Sequence, residues 1–424
     1  MKKVLIISYY WPPSGGSGVQ RWLKFSKFLP KYGIKPYVYT PKNPTIELID
    51  NDLTKQISTN VTVWKKKIYE PYSIKNIFSK KSKKTETSGV ISNSKFGYIF
   101  NWIRGNFFIP DPKVLWIKPS INYLEKKLIE NSIDTIISTG PPHSMHLIAL
   151  ALKNKLNLKW IADFRDPWSE LDMLNEFHLT KSSTNRHKSL ENQVLKKCDI
   201  CLTVSEKWVK MFSELGARNV KLITNGFDED DFKVSTEISV DKFVIGHFGL
   251  INHLRNPTIL WKALNQICEE NKDFDSKLEI RLSGNIDLNI LSKIENFKYL
   301  KGKIKNLGYL SHSEVIKQYN KASILLLLLF NSESGKGNYP GKVFEYFATQ
   351  KPILSFGPSE SDTKELFTEF NKAFYHSYDD TIEIIKKTIE ILFSKNYKSD
   401  NYDLKRFTRE NLTKELADLI FSID

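Results

Sequence analysis

The chain is poor in cysteine, with three in 424 residues. That excludes a disulfide framework and a thiolate-rich metal cage, each of which needs several pairs, and it fits a reducing compartment. Cys198 and Cys201 form a C-x-x-C, but no second pair or histidine cluster accompanies them. In DICLTVS they read as small hydrophobes of a buried strand. Long apolar runs are missing as well. The greasiest stretch, ILLLLLF at 324–330, falls far short of the roughly 20 residues that span a bilayer and reads as a buried strand. MKKVLIISYYWPP begins with basic residues, but its apolar run is shorter than the roughly 7–15 of a secretory leader. The expected location is therefore cytoplasmic. No helix-turn-helix, zinc-finger or RNP pattern occurs, so nucleic acid is not an expected partner.

Acidic residues are outnumbered, 48 against 63 basic, for a net charge of +15. The excess is uneven. WKKKIYEPYSIKNIFSKKSKK, 64–84, is dense in lysine, and the aromatic FGYIFNWIRGNFF, 96–108, follows it. Lysines beside aromatics can seat on an anionic membrane surface, which makes the protein a candidate peripheral membrane protein. The plainer reading is a solvated loop followed by a packed helix.

The length suggests two domains. KKVLIISYY reads as a strand, VQRWLKFSKFLPKYG as a helix ended by Gly33, and KPYVYTP as a strand. After an insertion at about 44–118 the alternation resumes with IDTIISTG, SMHLIALALKNKL, LKWIADFRD, SLENQVLKKC and DICLTVS. It restarts beyond NGFDEDDF with KFVIGHFGL, NPTILWKALNQIC, KLEIRLSG, HSEVIKQYNKA, SILLLLLF and PILSF. Alternating strands and helices predict α/β architecture with parallel, doubly wound sheets. The expected layout is a Rossmann-like domain over 1–225, a second over 226–400, a hinge near 225–242, and a final helix within 401–424 packing back across the join.

Ligands of such sheets bind beyond the carboxyl ends of the strands, so the loops there are the candidates. SGGSG places Gly16 and Gly18 before a helix, which suits an anion. It is not a dinucleotide fingerprint, because the third glycine position is Arg21 and the second strand ends without an acidic residue. GPPHSMH offers His143 as an acid, a base or a hydroxyl ligand. ADFRDPW crowds Asp163, Arg165 and Asp166 at a strand end. Either an Arg165–aspartate ion pair explains them, or Arg165 and Asp166 hold sugar hydroxyls or phosphate. In GHFGLINHLRNP, Gly249 permits close backbone approach and Arg255 can grip a phosphate. Gly284 in RLSGN ends the next strand in a similar loop. The D-x-D at 228–230 follows a turn and reads poorly as a metal site, so no metal or other cofactor is expected.

GKGNYPGKVFEYFATQKPIL, 335–354, is the most informative stretch. Gly335, Gly337 and Gly341 let backbone crowd a ligand, and Pro340 suits a helix's first turn. Lys342 adds a full charge to the helix's partial one, which suits a diphosphate. Glu345, one turn on, can accept the hydroxyls of a ribose diol. The alternative is an i, i+3 pair between Lys342 and Glu345.

PGKVFEYFATQKPIL resembles the C-terminal signature of glycosyltransferase family 4. SYYWPPSGGSG, TGPPHSMH, DFRDPW, LTVSE, TNGFD and RNP look like the same group, in order, over nearly the whole chain. The resemblance implies a GT-B fold, two Rossmann-like domains facing across a cleft. It implies a metal-independent, hexosyltransferase-like enzyme that moves a sugar from a nucleotide-sugar donor to an acceptor hydroxyl with retention. A glycan or lipid-linked acceptor fits, within surface polysaccharide or lipid-linked glycan synthesis. By this resemblance Glu345 matches the second glutamate of the family's pair and Arg255 its phosphate-binding lysine. Gly16, Gly18, Gly249, Gly284, Gly341 and Lys342 complete the donor-binding set, and His143, Arg165 and Asp166 are the catalytic candidates. The first glutamate's position is held by Gly337, for which Glu333 or backbone N–H groups could substitute. The companion arginine's position is held by Leu250, and Arg165 stands near where many members carry histidine. Two other readings stay open: a nucleotide-sugar epimerase of the same fold, and a non-catalytic nucleotide-sugar-binding protein.

Overall fold

A computed structural model of the chain describes residues 1–46, 48–70, 95–233, 241–395 and 402–423. Lysines 75–84 of the basic stretch, and 234–240 of the expected hinge, lie outside the described residues. The chain divides into two compact units, Met1–Thr224 with Arg409–Asp424, and Asn225–Thr408.

The first unit holds seven strands: β1 (Lys2–Ile7), β2 (Ile34–Pro41), β3 (Thr62–Lys66), β4 (Thr135–Gly140), β5 (Lys159–Phe164), β6 (Ile200–Thr203) and β7 (Val220–Leu222). They pair in parallel in the order β3-β2-β1-β4-β5-β6-β7. Side chains alternate across the sheet, as a period of two requires. Leu5 and Ile7 enter one core with Ile136, Ile148 and Trp208, while Val4 and Ile6 enter the other with Trp22, Val38 and Ile161. The second core is closed by Val19, Trp22 and Leu23 of the Ser17–Phe28 helix and by Leu412, Leu416 and Ile420 of the Arg409–Ser422 helix. Gly33 ends the first helical segment at φ +77°, a left-handed conformation that glycine adopts without strain.

The second unit holds β8 (Phe243–Phe248), β9 (Leu278–Ser283), β10 (Ile304–Asn306), β11 (Ile324–Leu328), β12 (Ile353–Gly357) and β13 (Ala373–Ser377). Their order is β10-β9-β8-β11-β12-β13, again all parallel. The leucine run is β11, with Leu326 and Leu328 in one core and Leu325 and Leu327 in the other.

Two boundaries move. The stretch 44–118 is not wholly an insertion: Thr62–Lys66 is an edge strand of the first sheet, paired with β2 from Tyr37↔Thr62 to Pro41↔Lys66. The second unit runs to Thr408 rather than to about 400, because the Phe227 N–H donates to the Phe407 carbonyl (3.1 Å) and Phe407 packs on Phe344. The last helix, Arg409–Ser422, belongs to the first unit.

The first unit carries a buried ion pair. Arg21 donates to Asp163 through Nη2 (3.1 Å) and Nε (3.3 Å), and to the carbonyls of Thr224 (2.8 Å) and Ile223 (3.0 Å). Trp22 Nε1 (2.7 Å) and Thr139 Oγ1 (2.9 Å) also donate to the Asp163 carboxylate. Removing one partner of such a pair leaves an uncompensated buried charge. Arg21→Met is expected to destabilise this unit by about 3–5 kcal/mol. A denaturant titration showing a loss below about 1 kcal/mol would count the pair as dispensable.

Candidate functional site

In the second unit the candidate residues gather beyond the carboxyl ends of β8 and β9 and at the start of the Gly341–Ala348 helix. The Gly249 N–H donates to the Ser283 carbonyl at 2.7 Å. Gly284 has φ +112°, and a Cβ there would lie 2.5 Å from the Gly249 carbonyl oxygen. Only glycine satisfies both the conformation and the approach, so Gly284 shapes the Gly249 loop through backbone packing. A Cβ at Gly249 would meet Lys342 Nζ at 2.6 Å and His247 Nε2 at 3.3 Å. The Lys342 ammonium therefore sits over the Gly249 backbone. Arg255, in the His253–Arg255 turn, lays its guanidinium over the Phe330 ring, Cζ 3.5 Å from the centroid. Burial, with Arg255 close by, pushes the Lys342 ammonium down to about 8, against an upward pull from Glu345.

Glu345 is held by the neighbouring His312–Lys321 helix. Tyr319 Oη donates to its Oε2 (2.8 Å) and His312 Nε2 to its Oε1 (3.3 Å). Burial pushes the carboxyl upward, but the His312 and Tyr319 hydrogen bonds and the Lys342 charge outweigh it and hold it below the usual range. The i, i+3 pair between Lys342 and Glu345 does not form; Glu345's partners are His312 and Tyr319. Pro340 is the cap residue rather than the first helical one, and no side chain caps this helix. A Cβ at Gly341 would meet nothing within 4 Å, so space opens there. Gly335 answers its own chain instead: a Cβ would collide with the Phe330 carbonyl. Glu333 is exposed and paired with Lys336 (2.8 Å), while Gly337 is buried.

His247 was not singled out from the sequence. Its Nδ1–H donates to the Leu326 carbonyl (2.9 Å), which leaves Nε2 as a buried lone pair without a hydrogen-bond partner, next to Gly249. Burial and the Lys342 charge push it down to about 3, so it is neutral.

The first unit brings together a second group. Arg165 donates from Nε to Thr139 Oγ1 (3.1 Å), from Nη2 to the Pro141 carbonyl (2.5 Å) and from Nη1 to the Gly18 carbonyl (3.5 Å). It ties the turn after β5 to the end of β4, the residue after it and the first turn of the Ser17–Phe28 helix. Asp163's ion-pair partner is Arg21, not Arg165. Asp166 is half-buried in the turn after β5. Gly16 has φ +88° and open space around it, whereas Gly18 packs against the Tyr10 ring. His143 is buried and stacks on Trp168, with ring centroids 4.8 Å apart and planes at 6°. Burial holds its pKa well below the usual value, so it offers a neutral hydrogen bond and not a charged acid. The start of the Ser144–Leu156 helix is occupied by the chain's own Asp111, which accepts from the Ser144 N–H and Oγ, both at 2.8 Å. The Asp228 carboxylate accepts from the Asp230 N–H (3.2 Å), and no cluster of metal-ligating side chains occurs among the described residues.

No protein-family model and no curated protein matches the chain. Solved structures do. Anabaena HepE in complex with UDP aligns at 14% identity over 100% of both chains, TM-score 0.63. Sucrose-phosphate synthase from Thermosynechococcus elongatus aligns at 11% identity over 100% of this chain and 99% of that one, TM-score 0.66. A putative UDP-N-acetylglucosamine 2-epimerase from Listeria monocytogenes aligns at 10% identity over 100% and 96%, TM-score 0.56. The chain has the GT-B fold. At these identities the likeness carries the fold alone.

Within this GT-B chain the Gly249–Lys342–Glu345 group has a definite pH signature. Lys342 is charged below about 8 and neutral above it. A bound diphosphate favours the charged form, so binding takes up a proton as pH rises past that value. Affinity for a nucleoside diphosphate is expected to fall about tenfold between pH 7 and 9. Lys342→Gln should bind more weakly and lose that dependence. Titration calorimetry across the range checks this, and an unchanged slope in the variant would remove Lys342 from the site.

Proposed function

We propose that this protein transfers a sugar from a nucleotide-sugar donor to an acceptor hydroxyl, with retention at the anomeric carbon and without a bound metal. The observation that carries the reading is one helix start where Lys342 faces the Gly249 backbone, Arg255 lies close by and Glu345 stands one turn further on. Lys342, Arg255 and the helix N-terminus suit the two phosphates, and Glu345 suits the ribose diol. Gly249, Gly284 and Gly341 keep side chains out of the way. On departure the nucleoside diphosphate gains charge, and fixed donors aimed at that charge supply the largest catalytic term. Losing one such donor typically lowers the rate by about 10²–10³. With no second carboxylate at Gly337, the donor phosphate itself takes the acceptor's proton. Solved neighbours bound to UDP and UDP-glucose support UDP as the first nucleotide to test.

The acceptor we propose is a glycan or lipid-linked glycan. The Lys95–Phe107 helix of the first unit exposes Tyr98, Ile99, Ile103 and Phe107, the last at 69%. A lysine-dense stretch precedes it in sequence, so the surface we propose for it is that of an anionic bilayer. Replacing Tyr98, Ile99 and Phe107 by serine is expected to abolish sedimentation with phosphatidylglycerol vesicles. Undiminished sedimentation of that variant would rule the helix out as the anchor.

A thermal-shift panel of UDP, GDP, ADP, TDP and CMP, on the wild type and on Glu345→Ala, tests the donor. A ligand at about 100 times its dissociation constant stabilises by roughly 2.7 kcal/mol. One nucleoside diphosphate is expected to stabilise the wild type, and the variant should lose that effect. If none does, the transfer reading falls. An inverted product would refute retention. The Listeria neighbour keeps an epimerase in view. That reaction needs no acceptor, so donor conversion in the absence of any acceptor would favour it over transfer.

A further inference from the structure

We propose that Phe330 is a positioning residue: its ring is the platform that fixes the plane of the Arg255 guanidinium and aims its donors at a diphosphate. That a diphosphate is the target rests on the transfer reading; the platform itself does not.

Arg255 Cζ lies 3.5 Å from the centre of the Phe330 ring. That is van der Waals contact between carbon atoms. A tilted guanidinium at this distance would drive one of its nitrogens into the ring, so the two planes lie face to face. The N–H groups of a guanidinium lie in its plane. The ring therefore takes none of them, and they point outward past its edge. The backbone around the stack is tied as well. The Asn331 N–H donates to the Leu254 carbonyl (2.9 Å), which joins the residue after Phe330 to the residue before Arg255. Tyr378 Oη donates to the Leu329 carbonyl (2.7 Å). Gly335 lies so close to the Phe330 carbonyl that a Cβ there would collide with it.

Two observations separate a platform from ordinary packing. Phe330 is half-buried, two residues past the end of β11, and among the described residues it joins neither core of the second unit. The arginine covers it in place of a core. Arg255 is also near enough to Lys342 to push that ammonium down, together with burial, to about 8. Like charges repel, and a long side chain free to move would swing away. Glu345, on Lys342's own helix, offsets part of the repulsion, while His247 on β8 is neutral and offsets none. The face-on stack supplies a restraint that keeps the two cations together. A lysine at 255 would gain less from it, being a point charge on a flexible stem.

Titration calorimetry of the full chain with UDP and with inorganic pyrophosphate at pH 7 tests this. The variants are Phe330→Leu, Phe330→Tyr, Arg255→Lys, and Phe330→Leu combined with Arg255→Lys. Phe330→Leu keeps an apolar side chain without a flat face. It is expected to weaken binding at least about fivefold with Tm unchanged, and Phe330→Tyr to bind as the wild type does. In the Arg255→Lys background Phe330→Leu should have no further effect, because the stack is already gone. Packing alone would weaken binding equally in both backgrounds. The proposal is overturned if Phe330→Leu binds as the wild type does, or if its loss is the same in both backgrounds; the transfer reading is then untouched. If neither these ligands nor any other nucleoside diphosphate binds the wild type, the transfer reading falls, and the platform is judged on the free protein. There, carbon-13 lysine NMR, with Lys342 assigned by its loss in Lys342→Gln, should show its titration midpoint rise in Phe330→Leu as Arg255 swings away. An unchanged midpoint would overturn the platform too.

Discussion

Parallel sheets buried on both faces leave little room for polar groups along their strands. Each central strand here sends alternate side chains into two cores, so an unpaired charge along it would lie in an apolar medium. Chemistry is confined to the strand ends, where loops leave the sheet and helices begin. In the second unit that is where Gly249, Gly284 and Lys342 meet. In the first unit it is where Arg165 joins the turn after β5 to the end of β4 and the start of the Ser17–Phe28 helix, and where Asp163, the last residue but one of β5, is matched by Arg21, Trp22 and Thr139. A carboxylate at such a depth persists because four donor atoms meet it.

The same constraint explains what could be read from the chain. The central strands β1, β2, β4, β5, β6, β8, β9, β11 and β12 are each signalled by an apolar run. β3, β7, β10 and β13 are not, and these four are the edges of the two sheets. An edge strand is covered less, so its residues need not be apolar: β7 reads VKL, β10 reads IKN, and β3 ends in two lysines. Hydrophobic pattern reports burial, and it fades where burial does.

The candidate residues that lie together were legible where they adjoin a local landmark. Gly249, Lys342 and Glu345 stand beside glycine turns and a helix start, which carry a physical meaning within a few residues. His312 and Tyr319 act on Glu345 across 33 and 26 positions, and nothing near either announces it. Ser311-His312-Ser313-Glu314 reads only as a helix start, and in the structure it is a capping box. His247 had one faint sign, an imidazole inside an otherwise apolar strand. For Arg165 the nearest neighbours in sequence are only part of its surroundings. It is flanked by aspartates in sequence, yet it bonds to Thr139, Gly18 and Pro141, and Asp163 is taken by an arginine from the Ser17–Phe28 helix.

Lys342 and Glu345 show why such long-range contacts matter. Three residues apart on one helix, they would ordinarily neutralise each other, and a neutralised pair has little to offer a phosphate or a diol. Here the carboxylate is drawn to the His312–Lys321 helix by Tyr319 and His312, and the ammonium lies over Gly249 with Arg255 close by. Burial and Arg255 weaken the charge of Lys342 while Glu345 supports it, which leaves the ammonium near its titration point. A group so balanced responds strongly to any further charge brought beside it. A dianion placed beside the two cations would favour the protonated ammonium and offset its repulsion from Arg255 together.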